Sequence, residues 1–274
     1  MNNTSFSLRS VVLQVVVILG ALAMFFPFFW TIITSISPGA SLSSAPSIVP
    51  TDPSLDAYQR LFTERPFARV VLNSMFLSLV TTVVQLFTSA TAAYAFSRLP
   101  FRGRSVVFAV YLATMMIPLQ VLIVPLFVEL KAFGLLNTHL GALLPTFASV
   151  FGIFLLRQAM NQVPQELDEA ATLDGAGHFR IFALIMLPNI RPALATLTVF
   201  AFMGSWNSFL WPLVVLRKPD LQTLPIALAS LQGQYTTQWD IVMAGSVVSV
   251  LPMLALYIFA QKYVIQGVAS SGIK

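Results

Sequence analysis

The residues best suited to do chemistry form a short polar segment near the middle of an otherwise apolar chain: Glu166, Asp168, Glu169, Ala170 and Ala171. A helix over 165–174 is predicted, because Pro164 suits a first turn and Gly175 can take the left-handed conformation that ends a helix. Carboxylates in a first turn interact favourably with the helix dipole, by about 0.3–1 kcal/mol each. The alternative, which we favour for Glu169, is a charge-assisted bond to a basic group of a partner protein. The small side chains of the two alanines would then allow another surface to approach closely.

A second short helix is predicted after the glycine turn. The segment 178–186 carries apolar residues at the three- and four-residue spacing of an amphipathic helix: Phe179, Phe182, Ala183 and Met186. Pro188 is expected to stop this helix. Two short helices around a glycine therefore predict a compact helix-turn-helix.

The whole segment follows one pattern without a gap or mismatch: Glu169-Ala170-Ala171, three residues, Gly175, nine residues, Ile185, one residue, then Leu187-Pro188. This pattern resembles the signature loop of permease subunits in ATP-binding-cassette (ABC) importers. The resemblance implies a cytoplasmic coupling loop, residues 161–191, that docks on a separate ATPase. The coupling residues would be Glu166, Asp168, Glu169, Ala170, Ala171, Gly175, Ile185, Leu187 and Pro188.

Composition places the chain in a membrane. Hydrophobic residues make up 57% of it, charged residues 9%, and the mean hydropathy is +0.82, whereas soluble domains carry about 25% charged residues. Six windows approach or exceed the roughly 20 apolar residues that a transmembrane helix needs. The first is too long for the apolar region of a signal peptide. We therefore predict an all-α integral membrane protein, one domain over 1–274, with spans at about 11–36, 70–96, 105–128, 138–160, 192–216 and 241–262.

The distribution of Lys and Arg predicts the orientation. One side of the membrane would hold nine of them: Arg9, Arg98, Arg102, Arg104, Arg157, Arg180, Arg191, Lys262 and Lys274. The other side would hold six: Arg60, Arg65, Arg69, Lys131, Arg217 and Lys218. Both termini and the coupling loop are therefore expected in the cytoplasm, and the scattered basic residues explain the net charge of +5 without nucleic acid.

Catalytic and metal-binding patterns are missing from the sequence. It contains no cysteine, no glycine-rich phosphate loop, no His-Glu-x-x-His and no Gly-x-Ser-x-Gly. His139 and His178 are the two histidines, and neither has a cluster of ligand residues beside it in the sequence. We expect no catalytic residue, no metal and no cofactor in this chain, so ATP and Mg²⁺ would be bound by a partner. Because the spans as drawn have no ionisable residue deep inside them, an ion-driven mechanism is disfavoured.

The spans offer uncharged polar groups instead, of which Gln120, Trp206, Asn207 and Trp211 are the candidate substrate contacts. Amides and indoles suit hydroxyl-rich ligands, since they hydrogen-bond and stack without a charge. The alternative, favoured for the two tryptophans, is an aromatic belt at the membrane surface. Pro118 and Pro125 are expected to kink or break the third helix.

On the outer side, Asp52-Pro53 predicts a helix N-terminus, followed by an apolar stripe of Leu55, Tyr58, Leu61 and Phe62. Two roles remain open for this interfacial helix. It could lie on the bilayer surface, or it could help to form the outer mouth that receives substrate.

The resemblance extends along most of the chain. Segments similar to the carbohydrate-uptake branch of these permeases are Asn73-Ser74, 92–104, 134–138, 206–213 and 223–225. The tail, with Gly267, Gly272 and Lys274, is similar to the shorter permease of maltose-type systems, in which the tail reaches the ATPase. It departs from that pattern at Ser271, where many relatives carry glycine.

The resemblance implies a type I ABC importer permease that forms half of a pore for a sugar or sugar-like solute in the cytoplasmic (inner) membrane of a prokaryote. Its implied partners are a second, different permease, two ATP-binding subunits and an extracytoplasmic solute-binding protein. Alternatives are uptake of a glycerol phosphodiester or polyol, an ion-coupled secondary transporter, and a membrane-embedded enzyme.

Overall fold

The fold is taken from a computed structural model, which describes the backbone of residues 8–40, 50, 52–232 and 237–271 and the side chains of 10–40, 50, 52–232 and 237–261. The α-helices within these ranges are α1 (Leu8–Ser35), α2 (Asp56–Thr63), α3 (Phe67–Arg98), α4 (Arg104–Ala113), α5 (Leu119–Ala132), α6 (His139–Leu143), α7 (Val150–Asn161), α8 (Glu166–Leu173), α9 (His178–Ile181), α10 (Leu187–Asn189), α11 (Arg191–Trp206), α12 (Leu210–Val215), α13 (Leu224–Leu231) and α14 (Trp239–Ser271).

Three of these helices, α1, α3 and α14, are long and apolar enough to cross a membrane as single rods. Three further candidates are bent pairs: Arg104–Met116 with Leu119–Ala132 at 97°, His139–Thr146 with Val150–Asn161 at 44°, and His178–Asn189 with Arg191–Trp206 at 80°. The predicted number of six spans is reached when each bent pair counts as one.

The bends fall at identifiable residues. The third window breaks at Ile117 and Pro118, as predicted, because proline disfavours helical geometry in the residue before it and Ile117 is extended. Pro125 does not break the helix, since α5 continues through it to Ala132. The predicted fifth span, 192–216, is also not one helix: α11 ends at Trp206 and α12 begins at Leu210.

The chain forms two compact units, and the first comprises Met1–Phe67 with Leu228–Leu251. Here Tyr58 of α2 hydrogen-bonds to Ser35 at the end of α1, 2.8 Å apart. The predicted cap at Asp52 is wrong. Helix α2 begins at Asp56, whose amide donates to the Ser54 hydroxyl, because Ser54 is itself fixed by a backbone bond to Ile36. Of the predicted stripe, Leu61 is buried while Leu55 and Phe62 are exposed.

The second unit, Ala68–Ala227 with Pro252–Lys274, contains the predicted coupling loop. Helix α3 runs through two hydrophobic clusters of this unit. It contributes Leu77 to one cluster, with residues of α5, α6 and α12, and it contributes Ala90, Ala93 and Tyr94 to the other, with residues of α7 and of the loop. The rise of 1.5 Å per residue places these two sets about 20 Å apart along one helix.

Candidate functional site

The first half of the coupling loop is a capped helix. Helix α8 is followed by Gly175 at φ 80°, and the described backbone makes both bonds of a Schellman motif: Ala176 N–H donates to Ala171 O at 2.9 Å and Gly175 N–H donates to Thr172 O at 3.0 Å. Apart from its two chain neighbours, no atom of the described residues lies within 4 Å of a Cβ built at Gly175. The requirement for glycine here is therefore conformational, and the predicted left-handed turn is confirmed.

The second half is irregular. After α9, the backbone widens into a π-helix over Phe182–Met186, in which Leu187 N–H donates to Phe182 O, and then continues into α10. The Asn189 side chain donates a hydrogen bond to Ile185 O at 2.8 Å. This bond satisfies a backbone carbonyl in the distorted turn around Pro188. The helical conformation ends at Asn189, one residue after the predicted stop.

This widening changes which side chains face inward. Met186 and Ile181 are buried and Phe182 is partly buried, but Phe179 is 83% exposed. The predicted stripe was therefore wrong at Phe179. A π turn has a longer period than an α turn, so residues before it are rotated relative to those after it.

The loop rests on a core made by its own chain. Buried side chains of α3, α7, the π-helix and α11 form this core, and Ala171, Ile185 and Leu187 pack against it from the motif. Of the predicted coupling residues, Glu166, Glu169, Ala170 and Gly175 are exposed and Pro188 is half-buried. The close-approach argument thus applies to Ala170, whereas Ala171 packs inward.

Large apolar side chains project from the same loop. Leu173 is 90% exposed and Phe179 is 83% exposed, and Leu167 and Leu184 are also exposed. We call these four, with Glu166 and Glu169, the docking face. Exposed large apolar side chains in a loop that also carries exposed acids are typical of a protein-protein contact surface.

Asp168 behaves differently from the two glutamates. Its Oδ2 lies 2.6 Å from Nε of Arg98, the last residue of α3, and the side chains are 17% and 8% exposed. Neither Arg98 Nε nor Asp168 Oδ1 makes a hydrogen bond within the described residues, so the contact is an ion pair. The expectation that Asp168 meets a partner's basic group is therefore corrected: its basic partner is in this chain. The sequence did not predict Arg98 as a site residue, because a single arginine at the end of an apolar window indicates only which side of the membrane it lies on.

A second feature of this unit is a cavity of about 280 Å³, whose lining is mainly apolar with several polar groups. Five helices and their connections line it, with Thr81 and Gln85 from α3 and Ser205 from α11 among the polar groups. The Thr81 and Thr146 hydroxyls lie 3.3 Å apart, and Gln85 donates to Thr146 O at 2.6 Å. The buried Thr223 hydroxyl also lines it and has no hydrogen-bond partner among the described residues. Such a lining suits a neutral, hydroxyl-bearing solute.

Comparison with known proteins identifies the kind of chain. The family described as "Binding-protein-dependent transport system inner membrane component" matches residues 85–270. The chain belongs to this family. It is a multi-pass membrane permease, and the prediction of an ABC importer permease is confirmed.

Relatives of this permease cover its whole length. The arabinooligosaccharides transport system permease protein AraQ of Bacillus subtilis (strain 168) is 34% identical, over 100% of this chain and 99% of its own. The lactose transport system permease protein LacG of Rhizobium radiobacter is also 34% identical, over 96% of each chain. A crystal structure of a bacterial ABC transporter involved in the import of the acidic polysaccharide alginate superposes with a TM-score of 0.83, at 26% identity, covering 96% of this chain and 99% of that one.

The permease places its predicted substrate contacts unequally. Trp211 lines the cavity and donates its indole N–H to Ala142 O at 3.1 Å, whereas Trp206 is stacked on Phe202 outside the lining. Both indoles are buried, to 3% and 2% exposure, so the aromatic-belt interpretation is wrong. Gln120 and Asn207 are exposed and do not line the cavity, although Leu119 does.

The remaining residues singled out in the sequence are the three residues of the tail and the two histidines. Gly267 lies in α14, while Gly272 and Lys274 lie outside the described residues. His178 is exposed, with Nδ1 3.5 Å from the Tyr94 hydroxyl, and the His139 ring contacts the Phe76 ring at a tilt of 51°, with ring centroids 5.4 Å apart.

Proposed function

We propose that this permease forms half of the pore of an ABC importer for a sugar or sugar-like solute. The other components are a second, different permease, two ATP-binding subunits that hold ATP and Mg²⁺, and an extracytoplasmic solute-binding protein. The names of both relatives given above and of the alginate transporter refer to carbohydrates. The hydroxyl-lined cavity supports the same class of solute.

The observation that carries the coupling role is the docking face. Its exposed leucines and Phe179 cannot be covered by the described part of the loop, and its acids, Glu166 and Glu169, can meet basic groups of an ATP-binding subunit. The Schellman turn and the buried core beneath the loop give this face one conformation. A preorganised surface loses less conformational entropy on binding.

The cavity supports the substrate role. At about 280 Å³ it lies just below the usual range for ligand pockets, about 300–1,000 Å³, so the second permease would supply the facing wall. Trp211 is the best placed of the four predicted contacts. Gln120, Trp206 and Asn207 stay secondary candidates.

Orientation follows from the same proposal. Docking on an ATP-binding subunit puts the loop in the cytoplasm, in agreement with the positive-inside count, and both termini then lie there. The tail with Gly267, Gly272 and Lys274 is proposed to reach the ATP-binding subunits.

The test is uptake by the assembled transporter. Arabinooligosaccharides and lactose would be offered to the co-purified binding protein, and the sugar that binds would be used with proteoliposomes containing ATP. We expect ATP-dependent uptake that Glu169→Lys lowers at least tenfold and that Glu129→Lys, an exposed acid of α5 outside the loop, leaves within twofold. Equal uptake by the two variants would remove the docking face from the mechanism, and uptake by this permease alone without nucleotide would contradict the importer assignment.

A further inference from the structure

The described structure joins the coupling loop to α3 at one buried charged contact. Arg98 donates from Nη2 to Val163 O at 2.6 Å, and its Nε lies 2.6 Å from Asp168 Oδ2. Val163 precedes α8 and Asp168 lies in its first turn. One arginine therefore holds both the entry to α8 and α8 itself.

Neither partner can leave without a penalty. Both side chains are largely buried, and removing one partner of such a pair leaves an uncompensated charge in a poorly solvated place. A displacement of α8 is thus expected to carry the end of α3 with it rather than to open the contact.

The last turn of α3 is held from a second direction. Arg157 of α7 donates from Nε to Phe96 O at 3.1 Å, and its guanidinium lies 4.0 Å from the centre of the Phe108 ring. Ser97 donates to Met160 Sδ at 3.5 Å. These contacts fix the turn to α7, so Arg98 has a rigid base.

Helix α3 then leads directly to the cavity. Gln85, Thr81 and Ser74 of α3 line it, at about 20, 26 and 36 Å from Arg98 along the helix. The residues of α3 include neither proline nor glycine, the usual causes of a kink. Movement at Arg98 therefore reaches the cavity wall without a hinge.

We propose that the Arg98–Asp168 pair is the link that converts displacement of the coupling loop into displacement of α3 and so changes access to the cavity. This inference rests on the proposed docking of the loop on an ATP-binding subunit. Arg98 and Asp168 are positioning residues in it, because they touch neither nucleotide nor solute.

The experiment uses the complete transporter, with Ser208→Cys in the cavity lining as a reporter in a chain without native cysteine. The other subunits would be made cysteine-free. Modification by a water-soluble thiol reagent is measured with and without a non-hydrolysable ATP analogue. The parent is expected to show an analogue-dependent change in rate. In Asp168→Asn this change should fall at least fivefold, while the ATP-binding subunits still co-purify and bind the analogue. Glu129→Gln, which removes an exposed acid elsewhere, should behave as the parent.

Two further variants separate transmission from simple structural damage. The exchange Arg98→Asp with Asp168→Arg restores opposite charges and should recover part of the analogue response, whereas either single change should not. An unchanged response in Asp168→Asn would overturn the link, and so would loss of the ATP-binding subunits from both Asp168→Asn and the exchanged pair. If Gly175→Thr and Glu169→Lys also leave the response intact, the docking proposal itself fails. If they abolish it while Asp168→Asn does not, only the link fails.

Discussion

Gly175 offers the sharpest test of the coupling loop, because the effect of its backbone conformation can be separated from the effect of adding a bulky side chain. It sits at φ 80°, and within the part of the chain that the structure describes no atom beyond its chain neighbours lies within 4 Å of a built Cβ. Gly177, two residues later, has φ −77° and ψ 166° and equally open surroundings there. Threonine at either position adds the same β-branched side chain. Only at Gly175 must that side chain adopt the left-handed region.

The size of the effect follows from the turn. Holding an L-residue in the left-handed conformation costs about 1–2 kcal/mol. If the turn relaxes instead, it loses the two Schellman bonds, each contributing about 0.5–1.5 kcal/mol net. The cheaper route sets the cost at about 1–2 kcal/mol, which lowers the population of the docking conformation by a factor of roughly 5–30, and the apparent affinity for the ATP-binding subunit falls by a similar factor. At Gly177, threonine is also a favourable N-cap residue for α9.

The assay compares ATP-driven uptake by Gly175→Thr and Gly177→Thr at equal membrane levels, with the ATP-binding subunit titrated. We expect Gly175→Thr to need about 5–30 times more of that subunit for half-maximal uptake, and Gly177→Thr to stay within twofold. If both variants were equally impaired, bulk on the loop would be the cause and the conformational argument would be refuted. Normal uptake by both would remove the turn from the mechanism.

Three further predictions concern packing, topology and energy coupling. A Cβ at Gly152 would lie 2.5 Å from the Ser89 hydroxyl and 3.1 Å from Leu197 Cδ1, so Gly152→Ala should destabilise the permease by about 1–3 kcal/mol; adding Ser89→Ala, which removes the hydroxyl, should restore part of the melting temperature, while Ser89→Gly should restore less because glycine weakens the interior of α3. In intact cells, an impermeant thiol reagent should label cysteine placed at Arg65 but not at Arg102; the opposite pattern would invert the topology. The isolated permease should neither hydrolyse ATP nor drive uptake in vesicles, because its sequence has no phosphate loop; transport along an ion gradient alone would contradict this.

The sequence predicted the features that depend on local chemistry. Long apolar windows predict α1, α3 and α14, because few polar groups are tolerated in the lipid core. Gly175 predicts a left-handed turn, because few other residues adopt a positive φ. The angles of the bends could not be predicted in the same way. Pro118 marks a break, but the 97° angle depends on what α4 and α5 pack against.

Tertiary contacts account for the other failures. Trp206 and Trp211 lie near the end of an apolar window, where an aromatic belt is the usual interpretation. The burial of Trp211 involves Ala142, which is 69 residues away in the chain and accepts the indole hydrogen bond. The π-helix at Phe182–Met186 was not predicted, because the helical period changes there within one turn and the spacing of apolar residues was read with a constant α-helical period.

The three acids of α8 look equivalent in the sequence, but the structure gives them different roles. Residues three apart share a helix face, so Glu166 and Glu169 point outward together, whereas Asp168, next to Glu169, is turned toward Arg98. Dipole stabilisation is available to all three at about 0.3–1 kcal/mol each and cannot explain why one is paired internally and two are left exposed. An acid buried against an arginine fixes the helix to its own chain, while acids beside exposed leucines are available to another protein. Replacement of Glu169 should therefore alter the affinity for the ATP-binding subunit, whereas replacement of Asp168 should alter how α3 responds once that subunit is bound.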